Sequence, residues 1–302
     1  MIGDILNIIS NTLISMVPLT LAGVGEIITE KSGVVNIGLE GIFILSAFTS
    51  TVVTFYTGNP YLGLLVGVIV GVLSGILHGL ISVYLKGDQI IAGVGFNSFA
   101  YGISLLALVS LWHSHGSSPS VNKIPMIIVG SLSFSPLTIV AFLVGFAAWW
   151  WLYKTPGGLR LRACGEDPRA AEAMGVNVYR VRFYATVVGS ALTGLGGAYL
   201  VVGWIGQFTK FISAGRGFIA LANVAFSNWN PLMAIVGGLL FGFFEALSIY
   251  IPIKLQEMTG RVFTAEASLF RTIPYLATLV VVAIIMKKVK MPRALGKPYI
   301  KE

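Results

Sequence analysis

The chain has 302 residues, of which 56% are hydrophobic and 11% are charged, and its mean hydropathy is +0.86. Soluble domains carry about 25% charged residues, so this composition excludes a water-soluble globular fold. The net charge is +8, but the basic residues lie at the ends of apolar runs and not on an aromatic face, which argues against nucleic-acid binding. Cys164 is the single cysteine, so the chain cannot form an internal disulfide.

Apolar runs recur along the sequence and are separated by polar residues, proline or glycine. A membrane-spanning helix needs about 20 apolar residues. The runs therefore predict an all-α integral membrane protein with about nine spans, between eight and ten, and residues 1–302 form a single transmembrane domain. The predicted spans are 5–25, 34–55, 61–85, 89–112, 135–153, 183–205, 212–228, 231–252 and 272–286.

Two of these runs depart from a plain apolar helix. The run 212–228 is short and contains Arg216 and Asn223. Charged and amide groups are unfavourable in lipid, so we expect this run to be re-entrant or broken. In the third run glycine recurs at every fourth position from Gly63 to Gly79, a spacing that lets a second helix pack closely.

The distribution of basic residues predicts the orientation of the chain. If the basic tail, 287–302, is cytoplasmic, alternation of nine spans also places the loops around Lys31, around Lys86 and over 154–182 in the cytoplasm. Most of the 20 Lys and Arg residues then lie on that side, in accord with the positive-inside rule. We therefore expect a multi-pass protein in the lipid of a cell membrane, with an outer N-terminus and a cytoplasmic C-terminus.

Polar side chains inside the predicted spans are candidate contacts for a transported solute, because such groups tend to face a cavity or a partner helix. Asn36 and Glu40 lie one helical turn apart on one face. Asn97, Asn223 and Glu245 lie in the fourth, seventh and eighth runs. Each of them could instead bond to a neighbouring helix, and the two acids could bind a proton or sodium in an ion-coupled transporter.

The longest predicted cytoplasmic loop contains the sequence GEDPRAAEAMGV at 165–176, which predicts a helix of about two turns. Asp167 can cap its N-terminus, Pro168 fits its first turn, and Gly175 can adopt the left-handed conformation that ends it. A helix this short is not stable alone in water. We expect the helix to present a small, nearly flat surface, formed by Ala170, Ala171, Ala173 and Met174. The loop is either a connector on lipid headgroups or a knob that docks into a cytoplasmic ATPase.

This loop resembles that of permease subunits of ABC importers in the branched-chain amino acid and ribose class. In that class a short helix follows a Gly-x-Asn/Asp-Pro-x-Ala-Ala pattern, ends at Gly-Val or Gly-Ile, and seats in a cleft of the ATPase. KSGVVNIGLEGIFILSAF at 31–48 and GRGFIALANVAFSNWNPLMAIVGGLLFGFFEAL at 215–247 resemble the nucleoside-importing branch of the class. The resemblance implies that coupling to the ATPase is carried by Gly165, Glu166, Asp167, Pro168, Ala170, Ala171, Met174 and Gly175.

The resemblance also implies an ABC importer permease fold, a transport subunit that is not an enzyme, and a location in the membrane of a prokaryotic cell. The chain has no Gly-x4-Gly-Lys-Ser/Thr pattern for nucleotide binding, so ATP and magnesium would bind a separate ATPase subunit. We expect no catalytic residue, bound cofactor, metal site or nucleic-acid partner on this chain. The other implied partners are a second, related permease chain and an extracytoplasmic substrate-binding lipoprotein.

The implied solute is a nucleoside, whose base is flat and whose ribose carries hydroxyl groups. Such a solute favours a pocket that combines amides or carboxylates with aromatic faces. The candidates for the substrate pathway are Asn36, Glu40, Phe96, Asn97, Asn223, Phe226, Trp229 and Glu245. Two alternatives stay open: an ABC importer of a sugar, and an ion-coupled secondary transporter that uses Glu40 or Glu245.

Overall fold

The computed structural model describes residues 2–259, 267–285 and 290–301. These parts of the chain are mainly helical, with a small antiparallel hairpin of β1 (Ile127–Val129) and β2 (Leu132–Phe134). The helices are α1 (Ile2–Lys31), α2 (Leu39–Thr57), α3 (Pro60–Gly79), α4 (Gln89–Trp112), α5 (Pro136–Lys154), α6 (Pro156–Glu166), α7 (Pro168–Ala173), α8 (Val178–Tyr199), α9 (Arg216–Phe226), α10 (Pro231–Thr259), α11 (Ala267–Phe270) and α12 (Ile273–Ile285). The π-helical segments Leu80–Tyr84 and Leu200–Ile205 continue α3 and α8.

Seven helices of the described ranges are long and apolar enough to cross a membrane, namely α1, α2, α3, α4, α5, α8 and α10. The prediction of an all-α membrane protein is confirmed. The predicted count of about nine spans is not confirmed, because seven helices of the described ranges qualify and α9, with 11 residues, is shorter than the about 20 residues of a full span. The predicted ninth span and the basic tail include residues 286–289 and 302, which lie outside the described ranges.

Helices α1 and α8 form the centre of the bundle. In the most apolar window of each span, 72% of α8 is buried inside the chain but only 17% of α4, which lies at the edge. Helix α1 packs against α5, α8, α9 and α10. Its residues Met16, Val17 and Leu21 are buried in an apolar cluster with Phe43 and Tyr199. Helix α1 is therefore the element against which most of the other spans are positioned.

Helices α3 and α8 approach each other closely along the glycine repeat of the third run. A methyl group built on Gly71 would lie 2.4 Å from the carbonyl oxygen of Ser190, and one built on Gly67 would lie 2.3 Å from the Cβ of Ala198. Both distances are far below van der Waals contact, so only a hydrogen atom fits at either position. The close packing predicted from the repeat is confirmed, and the partner helix is α8.

Several helix ends meet on one side of the bundle. The backbone N–H of Ala294 donates to the carbonyl of Gly165 (2.9 Å), and that of Gly296 donates to the carbonyl of Gly33 (3.1 Å). The end of α1, helices α6 and α7, and the segment 290–301 therefore lie together, and we call this side the basic face. Their relative placement agrees with the alternation of spans expected from the sequence, and the compartment that the basic face contacts stays a prediction.

Candidate functional site

The chain leaves its helical path between α8 and α9. Residues 206–210 turn away from α8 and pair with the loop that precedes β1, where the N–H of Val121 donates to the carbonyl of Gly206 at 2.8 Å. With 11 residues at about 1.5 Å per residue, α9 is roughly half as long as the hydrocarbon core is thick. The expectation of a broken helix in the run 212–228 is confirmed.

A carboxylate from α2 caps the N-terminus of α9. Glu40 accepts the backbone N–H groups of Gly215 and Gly217, each at 2.8 Å. The first N–H groups of a helix have no partner inside the helix, and the helix dipole favours a negative charge beside them. Because Glu40 is also in the first turn of α2, one negative charge lies at two helix N-termini.

Arg216 and Glu245 form a buried ion pair next to this cap. Their side chains are 12% and 10% exposed, and Nη2 of Arg216 donates to Oε1 of Glu245. Nη1 of Arg216 donates to the carbonyl of Ile212 at 2.8 Å, and the guanidinium lies 4.9 Å from the centre of the Trp204 ring. Buried charges need such partners, so the pair fixes α9 to α10 and to the segment that precedes α9.

The ion pair lines a cavity of about 450 Å³ between that segment, α10 and α12, which we call the α9 cavity. Its walls combine aromatic rings with charged and hydroxyl groups, including Trp204, Phe211, Arg216, Glu245, Ser248, Arg271 and Tyr275. Tyr275 also donates its hydroxyl hydrogen to the carbonyl of Ala214. A cavity of this size and mixed lining suits a small ligand that has a flat ring and several hydroxyl groups.

A second break lies between α1 and α2, where residues 32–38 are not helical. Oδ1 of Asn36 accepts the N–H of Gly38 at 2.9 Å, and the backbone N–H of Asn36 donates to Oε1 of Glu26 at 2.7 Å. On α4, Nδ2 of Asn97 donates to the carbonyl of Ile37 at 3.0 Å, and its Oδ1 accepts the N–H of Gly41 in the first turn of α2 at 2.7 Å. Non-helical backbone within a bundle needs such partners. Asn36 and Asn97 therefore hold the break together, and neither of them lines the α9 cavity.

The remaining amide and aromatic candidates pack helices against one another. Asn223 is fully buried and donates from Nδ2 to a carbonyl of α10 at 2.9 Å. The indole N–H of Trp229 donates to Glu30 near the end of α1. Phe226 contacts a phenylalanine of α10 edge-on, and Phe96 lies against the residue that precedes α2. These four side chains stabilise the fold around the two breaks and do not line the α9 cavity.

The structure thus brings two of the predicted pathway residues together, with Glu245 in the wall of the α9 cavity and Glu40 at the start of α9. Sequence reasoning missed Trp204 and Tyr275, since aromatic residues are common in any span. Arg216 did stand out as a charge inside an apolar run, and its opposite sign to Glu245 is the signal that could have paired them. No three His, Cys, Asp or Glu side chains of the described ranges are placed to hold a metal ion.

The helix predicted in the loop after α5 is present as α7. Asp167 accepts the N–H of Ala170 (3.0 Å), Pro168 is the first helical residue, and Gly175 follows the helix with a φ of +82°. These residues are the cap, start and stop that the sequence predicts. The helix has six residues, slightly fewer than two turns.

One side of α7 projects away from the rest of the chain. The exposed residues around it are Glu166, Asp167, Arg169, Ala170, Ala173, Met174 and Gly175. Met174 is the most prominent of them, with 84% of its surface exposed. The expectation that Ala171 belongs to this surface is wrong, because Ala171 is 4% exposed and packs with Cys164 and Val178. Gly165 is buried as well, so both residues support the loop from inside.

A C-terminal strap, residues 294–301, covers the other side of α7. Tyr299 packs with the buried Ala171 and donates its hydroxyl hydrogen to Glu172. Lys301 lies 3.2 Å from the same carboxylate. The hydrogen bond between Tyr299 and Glu172 lowers the pKa of Glu172 and raises the pKa of Tyr299 to about 12. The strap therefore holds the inner side of α7 while leaving Met174 free.

Arg182, near the start of α8, joins the strap to α6. Its side chain is 2% exposed, and the guanidinium donates to the carbonyls of Cys164 (3.1 Å) and Lys297 (2.8 Å). Burial raises the pKa of the Cys164 thiol to about 11, so this cysteine stays protonated and unreactive at neutral pH. Without the strap, a buried guanidinium would lose one of its acceptors.

A family model, the permease component of the branched-chain amino acid transport system, matches residues 8–286. The chain is similar to the guanosine ABC transporter permease protein NupQ of Bacillus subtilis, at 34% identity over 97% of this chain and 96% of that protein. It is 33% identical to the nucleoside ABC transporter permease protein NupC of Lactococcus lactis, with the same shares of both chains, 97% and 96%, covered. The putative glucose ABC transporter permease protein TsgC13 of Haloferax volcanii is 34% identical over 76% of this chain and 73% of its own.

No solved structure matches the chain. The family match covers both helix breaks, the loop that contains α7 and the walls of the α9 cavity. The chain therefore belongs to the family of branched-chain amino acid transport permease components, and it is the permease subunit of an ABC importer and not an enzyme.

Proposed function

We propose that this permease carries nucleosides into the cell. The observation that carries the proposal is the similarity, over 97% of the chain, to two permeases named for guanosine and for nucleosides. A permease named as a putative glucose transporter is also similar, but over 76% of the chain, and a sugar has no flat base to stack on the aromatic residues of the α9 cavity. The ion-coupled alternative is not favoured, because an ABC permease is driven by an ATPase and both oxygens of Glu40 are used at the start of α9.

The chemistry of the α9 cavity supports this substrate class. A purine or pyrimidine base can stack on Trp204 or Tyr275, which line the cavity together with the hydroxyl of Ser248. The ribose hydroxyls can donate to Glu245 and accept from Arg216. A nucleoside is uncharged and leaves the ion pair intact, whereas a nucleotide would add a negative charge beside Glu245 and Glu40.

The coupling to the ATPase is assigned to α7. Its exposed side is a short, capped knob with Met174 at its tip, and a methionine-rich or small-residue surface adapts well to a protein cleft. We place the basic face in the cytoplasm, so that the C-terminal strap is cytoplasmic, residues 1–302 act as one transmembrane domain, and ATP with magnesium binds the partner ATPase. A second, related permease chain completes the pathway, and a substrate-binding lipoprotein delivers the nucleoside from outside.

An uptake assay tests the substrate. The permease is expressed with its operon partners, and uptake of labelled guanosine is measured with an excess of unlabelled nucleoside, glucose or leucine. We expect competition by nucleosides alone, and a higher concentration for half-maximal uptake in Trp204→Ala and Ser248→Ala. The control is Phe243→Ala on the outer surface of α10, where the ring is 40% exposed. Competition by glucose or leucine without competition by nucleosides would refute the proposed substrate.

Co-purification tests the coupling assignment. Met174→Arg places a long charged side chain on the knob, and Met258→Arg makes the same change at a methionine that is 76% exposed near the end of α10. We expect the ATPase to co-purify with wild type and with Met258→Arg but not with Met174→Arg. Equal recovery of the ATPase with both variants would place the contact elsewhere.

A further inference from the structure

An apolar groove runs along the outer surface between α5 and α8 and ends at α6, and we call it the α5–α8 groove. Its volume is about 600 Å³, and most of its walls are apolar side chains. They include Val144, Ala148, Ala185, Val188 and Leu192. Because α5 and α8 both cross the membrane, the groove lies open to the acyl chains of the lipid.

Two arginines lie at one end of this groove. Arg160 comes from α6 and Arg180 from the first turn of α8, and both line the groove and are exposed. Neither guanidinium forms a hydrogen bond or an ion pair with any other residue of the described ranges. Since α5 ends at Lys154 and α8 begins at Val178, this end of the groove lies where the spans leave the hydrocarbon and lipid headgroups begin.

Aromatic residues mark the same level. Trp151, one turn before the end of α5, and Tyr184, in the second turn of α8, both line the groove and are partly exposed. Tryptophan and tyrosine favour the boundary between hydrocarbon and headgroups, because they combine an apolar ring with a polar group. The groove therefore changes from apolar to cationic over the depth at which a phospholipid changes from acyl chain to phosphate.

We propose that the α5–α8 groove binds an anionic phospholipid. One acyl chain lies along α5 and α8, and the phosphodiester accepts hydrogen bonds from Arg160 and Arg180. Bidentate guanidinium–phosphate pairs are among the strong charge-assisted hydrogen bonds. No residue that lines the groove is acidic, so the ammonium of a zwitterionic headgroup has no partner there. Charge complementarity therefore selects a lipid with a net negative charge, such as phosphatidylglycerol.

The position of the lipid gives it a structural role. Its headgroup would join α6 to α8, the two helices between which α7 is held. Loss of the lipid would leave two positive charges close together and would loosen the support of the coupling knob. The site therefore links the composition of the membrane to the rigidity of the loop that contains α7. This inference does not depend on the identity of the transported solute.

Lipid retention tests the proposal directly. Wild type is purified in mild detergent, stripped of lipid, incubated with vesicles of phosphatidylcholine that contain phosphatidylglycerol, and bound lipid is identified by native mass spectrometry. We expect about one tightly held phosphatidylglycerol per chain, and at least about tenfold weaker retention in Arg160→Gln/Arg180→Gln, because each basic side chain near a membrane surface attracts anionic lipid. The matched control, Arg293→Gln/Lys297→Gln, removes two exposed charges from the same face and should retain the lipid.

A second variant separates charge from shape. Val188→Trp keeps both arginines and fills the groove at a side chain that is 49% exposed, so it should lose the lipid while folding normally. Equal retention in all variants, or equal retention of phosphatidylcholine and phosphatidylglycerol by wild type, would overturn the proposal. Crosslinking of Val188→Cys to a protein helix in the assembled transporter would overturn it as well, because the occupant would then be a protein.

Discussion

Replacement of Glu40 by glutamine is the sharpest test of the helix break. In wild type, the two carboxylate oxygens of Glu40 accept two N–H groups at 2.8 Å at the start of α9. Glutamine keeps one acceptor but places an NH₂ group opposite the other N–H and removes the charge. A hydrogen bond to a charged group contributes about 1.5–3 kcal/mol, and the charge at a helix N-terminus adds up to about 1 kcal/mol. We expect Glu40→Gln to destabilise the protein by about 2–4 kcal/mol.

The measurement is unfolding in mixed micelles of detergent and lipid, followed by helical circular dichroism. Glu257→Gln is the control, since this carboxylate is 61% exposed and its loss should change the free energy of unfolding by less than about 0.5 kcal/mol. Glu40→Asp keeps the charge and should be intermediate. The reasoning is wrong if Glu40→Gln unfolds like the control. If wild-type guanosine uptake also depends on a proton or sodium gradient and uptake by Glu40→Gln does not, Glu40 is an ion site.

Glu245→Gln leaves the buried guanidinium of Arg216 without its counterion and should cost about 3–5 kcal/mol of unfolding free energy, whereas Arg216→Met/Glu245→Leu should cost less. A double variant that loses as much unfolding free energy as its two single variants added together would contradict this prediction. Gly71→Leu should prevent α3 from packing on α8, because even a methyl group there would lie 2.4 Å from a carbonyl oxygen. A Gly71→Leu variant that is monodisperse in gel filtration would refute this prediction. A hydrogen bond lowers the pKa of Glu172, so its contribution is present above the ordinary pKa of a glutamate and is lost as the pH falls through the lowered value. Amide hydrogens of residues 169–173, compared with those expected for unstructured peptide at each pH, should therefore become less protected in acid. Unchanged protection would contradict the strap contact.

The local features of this fold could be predicted from the sequence. The apolar runs mark the helices because each span buries its own backbone hydrogen bonds and needs a continuous apolar stretch. Helix α7 was predictable from Asp167, Pro168 and Gly175, since a cap, a start and a stop act on neighbouring residues. The short run with Arg216 was recognisable as a break because it combines a charge with a length below that of a full span.

The long-range features could not be predicted in the same way. Glu40 and the N-terminus of α9 are about 175 residues apart in the chain, and no local pattern pairs them. Asn36 and Asn97 looked like contacts for a solute, but a polar group inside a span also satisfies broken backbone, and the sequence does not distinguish the two roles. Ala171 was expected on the surface of α7 because the position of the strap, which covers it, depends on tertiary packing.

The strap also determines when the knob can be completed during synthesis. Helices α6, α7 and α8 leave the ribosome well before residues 294–301, which the ribosome adds after every described helix. Until then Arg182 lacks the carbonyl of Lys297, and the inner side of α7 lacks Tyr299. A nascent or prematurely terminated chain would therefore present α7 without the contacts that hold its inner side. If α7 docks into the ATPase as we propose, the ATPase would bind this loop only after translation has passed the strap.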